Sequence, residues 1–118
     1  MQHKKHTRTD ADIRPAVEAC CDDPVSGEQQ YGHISDWIVD QVTDMRMLFS
    51  GKPDFNENIS KWNVGQVEDM NSMFEGASSF NQSIGQWNVG QVESMNNMLQ
   101  YANIFNQDIG QRNDGLRS

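Results

Sequence analysis

The sequence predicts an α/β fold in which short strand–turn–helix repeats stack on one another behind an N-terminal capping helix. The first observation is a pattern, FN-x2-I-x2-WNVGQVE-x-MN-x-M, that occurs twice in succession over residues 55–104 at an offset of twenty-five residues. The second is that each copy joins a segment of period two to a segment of helical period. The third is the shortness of the unit, which buries an apolar face only when copies stack.

The residues before the repeats divide into two parts. Residues 1–9 are polar and lack periodicity, which predicts a disordered terminus. Residues 10–29 predict a capping helix followed by a loop. Thr9 with Asp12 three positions later is an acidic variant of the capping box, and apolar residues at helical spacing then extend a helix from about Asp10 to Cys21. We expect this helix to cover the first open end of the stack.

The repeat region is predicted to comprise residues 30–118, with copies at 30–54, 55–79 and 80–104 and a partial copy at 105–118. The first copy is degenerate, because Ile38 and Asp40 stand where the second copy has Asn63 and Gly65. The partial copy has Arg112 at the position of the tryptophan.

Each copy is predicted to run from strand to turn to helix. Trp62 and Val64 are two residues apart, which is typical of a short strand with one face buried. Gly65 then permits a turn with positive φ. Apolar residues from Val67 to Ala77 have the spacing of one helix face. The Phe, Ile, Trp, Val and Met columns are therefore expected to form a continuous core.

Stacking would align Trp37, Trp62 and Trp87 as a ladder of indoles. Because Trp alternates with Val on the inward face, core packing is the favoured interpretation, and an exposed ladder that binds carbohydrate is the alternative. Methionine at helical spacing indicates core filling rather than a copper(I) site.

Composition and motifs argue against several functions. A formal net charge of −8 disfavours a nucleic-acid partner, and no apolar run has the length of a membrane span or a secretory signal. Cys20 and Cys21 are adjacent, which offers neither a disulfide framework nor a zinc site. An EF-hand-like start at Asp54 lacks the required Gly and Glu. Since no His pairs with a nucleophile at a recognisable spacing, we expect no catalytic, metal or cofactor site.

The positions that differ between the two intact copies are expected to face outward. Repeat proteins use such rows of outward side chains to hold partners. The candidates for contact with a protein or surface ligand are the rows nearest the predicted strand, Lys61, Asn63, Gln66, Gln86, Asn88 and Gln91. The open lower end of the stack would also allow end-to-end self-association.

The unit FN-x2-I-x2-WNV-x2-V-x2-M-x2-MF resembles the short repeat of BspA-like surface proteins, which belong to the leucine-rich-repeat superfamily. The resemblance covers about Tyr31 to Gly110. It implies a leucine-rich-repeat-like right-handed solenoid, display at the cell surface or secretion, and protein–protein interaction or adhesion without enzyme activity. No signal peptide is recognised in this chain.

The alternative is a truncated fragment of a longer surface repeat protein without independent function, an interpretation based on Arg112, Asp114 and the end at Ser118.

Overall fold

A computed structural model describes residues 5–100 of the chain. Two α-helices lie wholly within them, α1 (Ile13–Asp22) and α2 (Pro24–Tyr31), followed by a 3-10 helix over Ile34–Asp36. These residues form no β-strand and no sheet. The prediction of an α/β, leucine-rich-repeat-like right-handed solenoid of strand–turn–helix repeats is therefore wrong. The partial copy at 105–118 lies outside the described residues.

The segment predicted as the helix of each copy is a chain of turns. In the second copy, alternate amides from Met73 to Ala77 donate to the carbonyl three residues earlier at 2.9–3.2 Å. The alternate amides from Met70 to Gly76 donate instead to carbonyls of the third copy at 2.8–2.9 Å. An α-helix needs bonds from each amide to the carbonyl four residues earlier, and none of these amides makes one. Along this segment, backbone amides therefore donate alternately within their own copy and to the next copy.

Left-handed backbone at fixed positions explains why no helix forms there. Met47, Ser72 and Asn97 occupy equivalent positions of the three copies with φ of 58°, 56° and 58°. Gly51 and Gly76 follow with φ of 70° and 77°. A right-handed helix requires negative φ at every residue, so these positions interrupt it. The apolar spacing seen in the sequence belongs to successive turns whose side chains at Met70, Met73, Phe74 and Ala77 reach the core.

The segment predicted as the strand of each copy is a turn as well. The Asn63 side-chain oxygen accepts a hydrogen bond from the Gly65 amide at 3.0 Å, and the third copy repeats this bond. The φ of Gly65 is not positive. The prediction that glycine is needed here for a turn with positive φ is therefore wrong. A Cβ at Gly65 would lie 3.0 Å from the Asn63 oxygen, so space is what favours glycine. The first copy has Ile38 in place of the asparagine and Asp40 in place of the glycine.

Helix α1 begins later than predicted, because a turn precedes it. Asp12 accepts a hydrogen bond from the Thr9 amide at 2.8 Å, and the Thr9 hydroxyl accepts one from the Ala11 amide at 3.2 Å. Only part of the predicted capping box forms, because the Thr9 hydroxyl accepts from the Ala11 amide instead of the Asp12 amide, and Asp12 itself precedes the first residue of α1. These two bonds shape the turn from which α1 continues to Asp22.

The loop predicted within residues 10–29 is wrong, because α2 starts at Pro24. The Asp23 carboxylate accepts a hydrogen bond from the Ser26 amide at 3.4 Å, and proline at the first helical position loses no intrahelical bond. The buried Gly27 then allows close packing against α1, where an added Cβ would lie 2.6 Å from the Cys20 Cα.

Helix α1 and the residues before it cover the free backbone edge of the first copy, as the sequence predicts. Arg14 donates to the Arg46 carbonyl at 2.6 Å and pairs with Asp44 at 3.2 Å. The Asp10 carboxylate accepts hydrogen bonds from the amides of Thr43 and Asp44 at 2.9 and 3.2 Å. Charged side chains therefore satisfy backbone groups that another copy would otherwise pair.

Residues 6–8 belong to the predicted disordered terminus but pair with the first copy. The Ile38 amide donates to the His6 carbonyl at 2.8 Å, and the Arg8 amide donates to the Ile38 carbonyl at 2.9 Å. Thr7 and Ile38 thus form an isolated parallel bridge. Residues 1–4 lie outside the described part of the chain.

The predicted core columns are confirmed, because equivalent residues of successive copies pack on one another. The ring centroids of Phe49 and Phe74 are 5.5 Å apart, and those of Phe55 and Phe80 are 5.8 Å apart. The Phe, Ile, Trp, Val and Met columns are buried, with Val89 only partly so. The core is continuous from α1 through the third copy.

Candidate functional site

The six side chains predicted to contact a partner are all exposed. They occupy three equivalent positions of the second and third copies, so they form three pairs: Lys61 with Gln86, Asn63 with Asn88, and Gln66 with Gln91. We call this set the outward face. The stacked, buried cores of the two copies hold these pairs in a repeated arrangement.

The polar groups of the outward face are only partly used within the chain. The side-chain oxygens of Asn63 and Asn88 accept hydrogen bonds from the backbone amides of Gly65 and Gly90. These bonds fix the orientation of each asparagine side chain. Within residues 5–100 their side-chain nitrogens donate to nothing. Two oriented side-chain NH2 groups, each with two N–H donors, therefore remain for a partner.

A row of carboxylates adjoins the outward face. Glu68 and Glu93 occupy equivalent positions, and both side chains are exposed. The Glu93 amide donates to the Glu68 carbonyl at 2.7 Å, which holds the two residues side by side. Lys61 is the single cation of the outward face. The surface is consequently rich in amides and negative on balance.

The three tryptophans are buried, which confirms the core interpretation and rules out an exposed ladder. Trp37, Trp62 and Trp87 are 3 %, 3 % and 6 % exposed. The indole of Trp62 donates to the Ile34 carbonyl at 2.9 Å, and that of Trp87 donates to the Ile59 carbonyl at 3.1 Å. Since neither the ring faces nor these N–H groups are open to a ligand, the carbohydrate alternative is not supported.

Arg8 is a buried cation that sequence analysis missed. Its side chain is 3 % exposed, and its guanidinium lies 4.8 Å from the ring centroid of Tyr31 and 5.0 Å from that of Trp37. Such cation–π contacts stabilise a charge that has been removed from water. The sequence offers no signal for this role, because Arg8 stands in a short polar segment without periodicity.

A cleft of about 350 Å³ lies between the two helices and the turn that joins the first and second copies. It is formed by the end of α1, by α2, by the residues just after α2, and by the turn 51–57. Its lining combines carboxylates with apolar side chains, among them Asp22, Pro24, Glu28, Ile34, Pro53, Asp54 and Phe55. Helices α1 and α2 are consecutive in the sequence, but the turn 51–57 is separated from them by most of the first copy, so no local sequence pattern indicates the cleft.

His33 joins the two walls of the cleft. Its Nε2 lies 3.8 Å from a Glu28 oxygen on α2 and 3.4 Å from a Glu57 oxygen on the second copy. Its Nδ1 accepts a hydrogen bond from the Ser35 amide at 3.1 Å, which places the imidazole proton of the neutral ring on Nε2. The neutral imidazole therefore donates toward the carboxylates and caps the 3-10 helix with its other nitrogen.

Two free cysteines line the cleft at the end of α1. Burial raises the pKa of Cys20, and the nearby Glu28 carboxylate raises it further. Burial also raises the pKa of Cys21, against the opposing effect of Lys52. Both groups are thus thiols rather than thiolates at neutral pH, which disfavours nucleophilic and metal-binding roles.

Residues 5–100 contain no group of three or more His, Cys, Asp or Glu side chains placed to hold a metal ion. None of the helices in this range combines the length and the apolar character that a membrane crossing requires.

These features define a protein of stacked, turn-built repeats whose first edge is covered by α1 and the residues before it. A family model described as "Mycoplasma protein of unknown function, DUF285" matches residues 22–115. The match spans α2 and the repeat copies, and the chain belongs to this family. No curated protein and no solved structure matches the chain. The resemblance to BspA-like repeats stays a prediction, because the family description does not bear on it.

Proposed function

We propose that this protein is a non-enzymatic module that binds another protein through the outward face. The observation that carries the proposal is the repetition of exposed amide side chains at equivalent positions above a buried, repeated core. The core residues are nearly constant between copies, with Leu99 in place of Phe74. The outward face combines one pair that differs, Lys61 with Gln86, with an Asn pair and a Gln pair that are identical. Repeat architectures commonly use such a surface for binding.

The chemistry of the outward face suits polar, protein-like recognition. Side-chain amides both donate and accept hydrogen bonds, so they complement a polypeptide backbone or other amides. The neighbouring Glu68 and Glu93 add negative charge, which disfavours phosphate-rich partners. A partner that carries amides and positive charge fits best, either in solution or at a cell surface.

Binding is favoured over catalysis by the polar contacts of His33. Its described partners are two carboxylates and one backbone amide, so it activates no hydroxyl or thiol in residues 5–100. The two thiols nearby have raised pKa values, which opposes a nucleophilic role.

Arginine substitutions at Gln66 and Gln91 test the proposal. A partner is first captured from the source cells, identified and purified, and its affinity for the protein is then measured by calorimetry. We expect the double variant Gln66→Arg with Gln91→Arg to bind roughly tenfold more weakly, because two bulky charges replace two amides.

The matched control places the same two charges on α2, as Gln29→Arg with Gln30→Arg. Both of these residues are exposed and lie outside the outward face. We expect the control to bind within about twofold of the parent, with the thermal transitions of both variants confirming their folding. Equal weakening by the two pairs would indicate a general charge effect and would refute the outward face as the binding surface.

A further inference from the structure

The cleft between the helical pair and the turn 51–57 has no part in the outward face. We propose that it binds a lysine or arginine side chain presented by a basic segment of a partner protein. This inference stands apart from the outward face, since it depends on different elements and different side chains.

The apolar part of the cleft fits the aliphatic stem of such a side chain. Ile34 and Phe55 are buried, at 4 % and 6 % exposure, and both line the cleft. Pro24 and Pro53 contribute further apolar surface from the two walls. A volume of about 350 Å³ is near the lower end of small-ligand pockets, about 300–1,000 Å³, so it accommodates one long side chain. Lysine and arginine bury such stems while keeping the charged end near polar groups.

The charged part of the cleft lacks compensating cations. Asp22 and Asp54 line it, and within residues 5–100 their carboxylates make no hydrogen bond and no ion pair. Lys52 also lines the cleft, but its ammonium already contacts Glu18 at 2.8 Å. A cationic group entering the cleft would therefore meet two unpaired carboxylates and little positive charge.

The carboxylate partners of His33 add to the negative charge. Glu28 and Glu57 share this single imidazole, so at least one negative charge remains on that side of the cleft even when the ring is protonated. The described carboxylates do not converge as a metal site does. An organic cation, whose charge is spread and whose stem is apolar, fits this arrangement better than a metal ion.

Gly51 favours a polypeptide over a free small amine. A Cβ built on Gly51 meets nothing within 4 Å, so the wall of the cleft is open at this point. A passing backbone has room there while its side chain enters between Pro24 and Pro53. A protein segment can therefore use both the opening and the cleft, whereas a small amine would use the cleft alone.

The test uses an acetylated and amidated hexapeptide of alternating glycine and lysine. Its affinity for the full chain is measured by calorimetry at low salt, where exposed charge pairs are least screened. The contact is located by amide chemical-shift changes in the turn 51–57. We expect binding by the lysine peptide and none by the same peptide with norleucine, which keeps the stem and removes the charge.

Two double variants distinguish binding by the cleft from nonspecific attraction of the peptide to the negative charge of the protein. The double variant Asp22→Asn with Asp54→Asn removes two unpaired carboxylates at nearly constant shape, and we expect the lysine peptide to bind about threefold to tenfold more weakly. The control, Glu68→Gln with Glu93→Gln, changes the net charge equally beside the outward face. We expect it to bind the peptide within about twofold of the parent.

The remaining outcomes count against the inference. Absence of lysine-peptide binding, equal binding of the norleucine peptide, or equal weakening by both double variants would overturn it. Spermidine that binds the cleft as tightly as the peptide would show a free polyamine rather than a protein segment as the occupant. The Gln66 and Gln91 arginine variants keep the cleft intact, so loss of the outward-face interaction leaves this result unchanged.

Discussion

Replacing Gly27 by alanine sets local helix propensity against tertiary packing. Gly27 lies within α2, where alanine is favoured over glycine by about 1 kcal/mol in a free helix. In the folded protein an added Cβ would lie 2.6 Å from the Cys20 Cα, 2.8 Å from the Cys20 amide nitrogen and 2.9 Å from the Ala19 carbonyl carbon. All three are backbone atoms of α1, so no side-chain rotation relieves the contact.

The cost follows from the distance by which the helices must separate. Ordinary contact begins at 3.4 Å, so the closest of these atoms must move by about 0.8 Å. Overpacking of this kind costs about 1–3 kcal/mol, and we take the upper end because both helices must shift as units. After the propensity gain of about 1 kcal/mol, the net loss in the free energy of unfolding is about 2 kcal/mol. For a chain of this size that lowers Tm by about 8 °C.

Thermal and urea unfolding followed by circular dichroism measure the difference, with Gln29 of the same helix as the reference position. Gln29 is exposed, so alanine there should be about 1 kcal/mol more stable than glycine. At position 27 we expect the opposite order, with the glycine protein more stable than the alanine protein. A Gly27→Ala protein as stable as the parent, or more so, would show that the helices do not approach as described.

Three further predictions concern the first copy and the cleft. Met47 is 55 % exposed at a φ of 58°, so Met47→Asn should stabilise the fold by about 1 kcal/mol in urea unfolding, and unchanged stability would argue against the left-handed turn. Burial acts to raise the pKa of Asp10, but hydrogen bonds from Thr43 and Asp44 outweigh it and lower the pKa below 3.8. Its stabilising contribution is therefore complete above the unfolded pKa and lost as pH falls through the folded value, so Asp10→Asn should lose less stability than the parent between pH 5 and 3 in acid titration. Burial raises the pKa of both Cys20 and Cys21, so iodoacetamide at pH 8.5 should alkylate the folded chain more slowly than the urea-unfolded chain, and equal rates would contradict the half-buried placement.

The sequence predicted the residues of the core but not their backbone conformation. The spacing of Met70, Met73 and Ala77 satisfies one face of a helix, and it satisfies the series of turns equally well. Side-chain periodicity reports which residues point inward, whereas the conformation depends on where the amides donate. Half of these amides donate to carbonyls of the next copy, as the Met70 amide does to the Ser94 carbonyl. No local sequence pattern indicates this pairing.

The candidate surfaces were predictable to different degrees. The outward face follows only in part from comparing copies, because a position that changes between copies above a nearly constant core is exposed, as Lys61 and Gln86 are. Its two Asn and two Gln residues are identical between the copies, so the comparison alone does not mark them as outward. The cleft was missed, since its walls come from α1, α2 and the turn 51–57, which meet only in the fold. Arg8 was missed for the same reason, because the rings of Tyr31 and Trp37 that cover it are distant in sequence.

The repeat by itself determined which side chains are buried, where the copies begin and which positions are free to vary. Hydrophobic spacing and a capping pair such as Thr9 and Asp12 act over a few residues, so they can be read directly from the chain. Only the tertiary structure decided that the copies are built of turns, that α2 replaces a loop and that a charged cleft forms beside it. The turns and the cleft depend on hydrogen bonds and contacts between residues about twenty-five or more apart, whose partners no local pattern specifies. Helix α2 depends instead on its Asp23 cap and on the close packing of Gly27 against α1.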